Sequence, residues 1–213
     1  MKSHLTVWVV AALCIAAPGL AAAEDESAEA APVPARVAAT QDALRDLWIG
    51  HIFWVRDVVE ARLDDDGKQA KAAEHQVVAN ARAIAGAVEP FYGAAASERL
   101  FELLAGHWGA ISDYLDATIA DRNRRQDAAA DRLSANAAEI AAFLSSANPN
   151  WPEETLHALL AAHGAHHVQQ IVQLHAEQHD EEAATWAAMK DHMYVIADAL
   201  TAGLAKQFPE KFE

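Results

Sequence analysis

Eleven histidines are spread over 213 residues, and five of them sit where packing alone gives an imidazole little reason to be. His51, His107, His163 and His192 each fall near the midpoint of a long stretch of helical periodicity, inside its apolar stripe. His167 follows His163 by one helical turn, so this pair presents two ring nitrogens from one helix face. Neutral imidazole is the commonest protein ligand for borderline metals, and a shell dominated by it favours zinc, copper, nickel or a histidine-ligated iron. These five residues are the candidate metal ligands. Taken singly, a histidine on an apolar stripe is more often a neutral core residue bonded to a carbonyl, a hydroxyl or another histidine. A metal-free, hydrogen-bonded histidine core is therefore the competing expectation.

Carboxylates narrow the chemistry. Asp57, Glu60, Asp113, Asp116 and Glu139 fall away from the apolar stripes, and Glu154-x-x-His157 lies in a first turn. A ferritin-like di-iron centre needs inward glutamates on several helices, and they are missing. The hemerythrin pattern fails in the same place, since it wants His-x-x-x-Glu and His-x-x-x-x-Asp beside a His-x-x-x-His. Noncovalent haem between two opposed histidines, lined by Trp48, Trp54 and Trp108, is a secondary expectation, whereas covalent haem is excluded for want of a Cys-x-x-Cys-His. Asp64-Asp65-Asp66-Gly67 fails as a calcium loop because Arg62 falls where its first acid is needed. His157, His175 and His179 project away from the inward face, as a solvated surface or a weak external metal-collecting patch. Glycine-rich phosphate loops and a Gly-x-Ser-x-Gly elbow are absent.

The elements that must carry the histidines are all helical. The chain beyond Thr40 is rich in Ala, Leu, Glu, Gln and Arg, without hairpin signals. Breakers divide it into six helices. The first runs from Thr40, as N-cap, to Leu63, stopped by Asp64-Asp65-Asp66-Gly67; the second runs from Lys68 to Val88, ahead of Pro90. A third covers Ala94 to Asp121 and a fourth Gln126 to Ser145. Asn148-Pro149-Asn150-Trp151-Pro152 is a firm break, with Trp151 a plug upon it, and Pro152-Glu153-Glu154 opens the fifth helix well. The fifth reaches Gln178, and the sixth spans Asp180 to Lys206. The fold class is all-α: a single-domain antiparallel helical bundle of about six helices, four of them long. Mid-helix histidines on neighbours about 8–10 Å apart then fall at similar heights and converge on one centre.

Residues 1–23 have the short basic start, apolar run from Leu5 to Leu20 and small-residue cleavage site of a secretory signal peptide. Bulky Leu13 before Cys14 argues against a lipoprotein anchor. Residues 24–39, Ala, Glu and Pro without periodicity, form a flexible leader, and 40–213 the bundle domain. Cleavage removes the only cysteine, so thiolate catalysis, zinc ribbons and disulfides are excluded. With 31 acidic against 16 basic residues, the chain is repelled by phosphate backbones and anionic membranes, so neither nucleic acid nor membrane is an expected partner. Metal cations are.

Leu47-Trp48-Ile49-Gly50-His51, Asn136-Ala137-Ala138-Glu139-Ile140-Ala141, Asn148-Pro149-Asn150-Trp151-Pro152 and Gln207-Phe208-Pro209 resemble a group of small bacterial all-helical proteins of unknown function. The resemblance covers Asp46 to Phe212 and implies one helical domain, with no catalytic residue. An acetylglutamate kinase label carried by some members finds no support in this sequence, which lacks the strands and phosphate loops of that enzyme class. The expectation is a periplasmic or secreted bundle that binds a transition metal through His51, His107, His163, His167 and His192, for binding, storage or sensing rather than turnover. A metal-free structural or interaction protein is the alternative, and a haem protein or metal-dependent enzyme the third.

Overall fold

Residues 34–213 are described by the computed structural model; the signal peptide expected at 1–23 and most of the leader lie outside the described residues. Helix α1, Ala35–Leu63, begins five residues before Thr40. The alanines there are strong helix formers. Thr40 is no cap: its hydroxyl donates back to the Arg36 carbonyl at 2.9 Å, so residues 35–39 belong to the bundle and not to the leader.

Among the described residues six long helices of 20 to 29 residues pair as three hairpins. The first joins α1 to α2 (Gly67–Gly86). A short α3 (Glu89–Tyr92) leads into the second, α4 (Ala94–Ile119) with α5 (Asn123–Ala147), and the third joins α6 (Glu153–His175) to α7 (His179–Gln207). Pro209–Lys211 add a single 3₁₀ turn.

Each hairpin closes in the same way. Asp65, Asp121 and Glu177 adopt left-handed φ values of 56°, 51° and 57°. The next amide then reaches back to the helix it has left, Asp66 to the Ala61 carbonyl, Arg122 to Ala117 and Gln178 to Gln173, at 2.8, 2.8 and 2.9 Å. This is the Schellman closure, which satisfies carbonyls that a helix end leaves free. Gly67 thus opens α2 instead of stopping α1, and Asp66 caps α2 by accepting from the Lys68 and Gln69 amides.

These coincidences come from an internal repeat. His51, His107 and His163 follow one another by the same 56 residues (51 to 107, 107 to 163), each at the end of a Leu-x-x-Leu-x-x-x-His. The three left-handed residues and the three second-helix starts keep that spacing. The hairpins form a closed ring in which α2 packs on α4, α5 on α6 and α7 back on α1. Ring neighbours are antiparallel, while α1, α4 and α6 run parallel to one another about a pseudo-threefold axis. At the linker end Tyr92 donates to Gln207 (2.7 Å), Asn148 to Tyr92 (3.0 Å) and Gln207 to the Ala147 carbonyl (3.0 Å).

The apolar core is split by height. One cluster, with Leu44, Ile52, Leu104, Leu160 and Ile196, fills the linker half. The other, with Val55, Val58, Leu115, Leu133 and Ile171, fills the turn half. Among the described residues no helix is long and apolar enough to cross a membrane.

Candidate metal centre

The repeat brings one histidine from each inner helix to the same height between the two apolar clusters. His51 is 5%, His107 4%, His163 1% and His167 1% exposed. His51 and His107 each lie 5.4 Å from His163 between ring centroids, and 6.2 Å from one another, so the three outline a nearly regular triangle. His167, one turn beyond His163, lies 4.5 Å from it, 5.5 Å from His51 and 6.2 Å from His107, and makes the fourth corner. One ring nitrogen of each falls within 4.8 Å of the others. Nε2 of His163 and Nε2 of His167 are 3.2 Å apart. That is close to the ~3.3 Å edge of a tetrahedron built on metal–nitrogen bonds of ~2.0–2.1 Å.

The polar atoms of this layer have few partners. The contact between His163 and His167 is the one hydrogen bond among the four rings. Nδ1 of His51, both nitrogens of His107, and Nδ1 of His163 and of His167 are buried with no partner. An orphaned buried polar atom costs about 1–3 kcal/mol. Burial also decides protonation. It lowers the pKa of His51 from 6.5 to about 3, with His107 adding to the shift. It lowers that of His107 to about 4. His163 and His167 are held well below the ordinary value, first by burial and then by neighbouring imidazoles. The four rings are therefore neutral at pH 7, the form in which imidazole ligates a metal.

Comparisons with family models, curated proteins and solved structures find no match.

His192, expected as a fifth ligand, is elsewhere. Its Nε2–H donates to the Leu159 carbonyl at 2.8 Å. In the other hairpins Asn80 donates to Leu47 and Asn136 to Leu103, each at 3.0 Å. These three bonds span the same 33 residues and occupy equivalent repeat positions. Each clasps a second helix to the turn before the ligand histidine. The stripe that carries His192 faces the neighbouring helices of the ring, not the axis, so helical periodicity could not tell it from a ligand. Its imidazole lies beside half-buried His166, 5.4 Å away. His157, His175 and His179 are exposed, and among the described residues they form no metal group.

A cavity of about 20 Å³ touches His51, His107 and His163 and is otherwise lined by apolar side chains, Trp48 and Trp108 included. It has room for about one water-sized ligand. A porphyrin does not fit. Trp54 packs against Phe53 at 4.9 Å and takes no part in this wall.

Sequence reasoning missed the polar group beside the centre. Glu182, in the first turn of α7, is only 4% exposed. It accepts from Arg56 at 2.8 and 3.0 Å and from Gln170 at 2.8 Å. Burial raises its pKa, but these hydrogen bonds outweigh burial and leave it lowered. Fully engaged in this way, the carboxylate is tied to the guanidinium and is no ligand. The one sequence signal was an Arg56 on the first helix with no acid at helical spacing besides Glu60.

Proposed function

We propose that this protein binds a transition metal of the zinc, copper and nickel class. His51, His107 and His163 form a threefold tripod, and His167 supplies the fourth ligand. The observation that carries the reading is the meeting of four buried, neutral imidazoles, one nitrogen of each within 4.8 Å of the others, in a layer where five ring nitrogens have no partner. A hydrogen-bonded histidine core, the metal-free alternative, would pair these atoms, and only one such pair is present. A metal would take one nitrogen from each of the four rings at once. Imidazole without carboxylate selects against magnesium, calcium and manganese. The cavity of about 20 Å³ beside the tripod leaves a place for one exchangeable small ligand, which suits binding, storage or sensing. With the signal peptide read at 1–23, the place of action is the periplasm or the exterior.

The test is elemental mass spectrometry and absorption spectroscopy on the chain from Glu24, expressed without a histidine tag. Near-stoichiometric metal is expected, lost in the His51→Ala, His107→Ala double variant. A native protein that neither carries nor takes up zinc, copper or nickel would overturn the proposal.

A further inference from the structure

Above the histidines, toward the linker end, the axis itself is not filled. Leu44, Leu100 and Leu156 are repeat-equivalent and buried, and with the layer of Trp48, Leu104 and Leu160 below they surround a chamber of about 40 Å³. Identical side chains placed about a threefold axis meet as a ring and leave its middle open, where an asymmetric core would fill the gap with residues of alternating size. The wall contains only Leu, Ile, Val, Ala and Trp side chains. Water needs two to four polar partners to be held in such a place, whereas apolar cavities stay dry and take apolar guests such as xenon.

The chamber adjoins the metal layer. Trp48, Leu104 and Leu160 line both this chamber and the smaller cavity that touches His51, His107 and His163. Trp48 stands where the other repeats have leucine, its ring 6.1 Å from His51 and 6.2 Å from His163. Its indole Nε1–H is buried without a partner. Imidazoles aside, it is the one unpaired donor in these walls, next to where a small ligand on the tripod would sit.

We infer that the axial chamber binds a small nonpolar molecule of dioxygen's class, one side-chain layer from the metal centre. Binding depends on the apolar walls alone, while access to a coordination position rests on the metal reading above. The metal-free protein should therefore bind xenon, the inert probe of this class, at this site.

Xenon titration followed by ¹²⁹Xe NMR on metal-free protein tests it, with Leu100→Phe to fill the chamber and Leu100→Ala to enlarge it. The expected result is a saturable xenon shift in the native protein that is lost in Leu100→Phe and grows in Leu100→Ala. Absence of a saturable shift in the native protein overturns the inference, whether or not Leu100→Ala shows one. Should Leu100→Phe fail to fold, native protein against Leu100→Ala still decides. Zinc uptake measured in parallel separates the two claims: xenon bound without zinc leaves the chamber and removes the tripod, and the reverse outcome does the opposite.

Discussion

The first two hairpins and the third share a frame and differ in what they put on the axis. Below the ligand histidine, hairpins one and two carry Val55 and Val58, and Ile111 and Tyr114; hairpin three carries His167 and Gln170 in those places. Ala61 and Ala117 correspond to Gln173, and Ala70 and Gln126 to Glu182. The frame is thus built three times from ordinary helix chemistry, and the departures concentrate in one copy, beside the candidate centre. Buried polar groups in place of apolar ones cost stability. Their clustering marks the third hairpin as the part that gives up stability, which on the proposed reading serves to hold a ligand.

Acid titration should expose this difference most strongly. Above pH ~6.5 the histidines are neutral whether the chain is folded or not, and they leave stability untouched. Below it the unfolded chain takes up protons that the folded chain refuses until about pH 4 at His107 and about pH 3 at His51. Stability is therefore whole above ~6.5 and falls as pH drops through this window. Each of these two residues removes ~1.4 kcal/mol for every pH step of one below ~6.5, so together they cost about 4 kcal/mol at pH 5. His163 and His167 add to the loss in the same direction. A melting temperature of metal-free protein that stays flat between pH 7.5 and 5 would contradict a buried neutral cluster. Saturating zinc should carry the melting temperature further into acid.

Replacing His167 with Ile copies hairpin two into hairpin three. The metal-free protein should gain about 1 kcal/mol in chemical denaturation, because burial of a polar ring and its orphaned Nδ1 is removed, partly offset by the loss of the partner of His163 Nε2. Zinc affinity should fall by more than the ~10–100-fold typical of losing an outer-shell partner. A gain in stability without a loss of affinity would leave His51, His107 and His163 as the whole site.

A smaller effect separates clasp from ligand. His192→Ala should cost about 1 kcal/mol, one hydrogen bond, and leave the metal stoichiometry unchanged. Loss of metal would restore His192 to the centre. The smallest change concerns the turns. Asp tolerates the left-handed conformation better than Glu does, so Glu177→Gly should stabilise the third hairpin by about 1 kcal/mol, and more than Asp65→Gly does the first. Thermal melts of the two variants side by side check the order.

Much of this was legible in the residues. Periodicity located six helices and four of the clustered histidines, because each ligand lies mid-helix on a stripe facing the axis. The repeat was carried by a sparse signal, Leu-x-x-Leu-x-x-x-His at 44–51, 100–107 and 156–163, while most positions between have diverged, Arg45 and Asp46 standing where the second copy has Phe101 and Glu102 and the third His157 and Ala158. His192 was misplaced because a stripe shows that a face is buried and not which neighbour buries it. Gly67 was misread as a stop since the left-handed position went to Asp65, an assignment made by backbone bonds that composition does not reveal. Glu182 escaped notice because acids are routine in a first turn, and only the ring closure of α7 against α1 brings Arg56 to it.

That closure also governs the order of assembly. Arg45 pairs with Asp198 across 153 residues at 2.7 and 2.8 Å, so α1 waits with one flank uncovered until almost the whole chain has left the ribosome. Hairpins one and two, each made of local contacts, are free to form during synthesis. Half of the histidine cluster, His163 and His167, arrives only with the last hairpin. A chain interrupted before that point would own a pair of histidines and no enclosure, so on the proposed reading uptake of metal is tied to completion of the polypeptide.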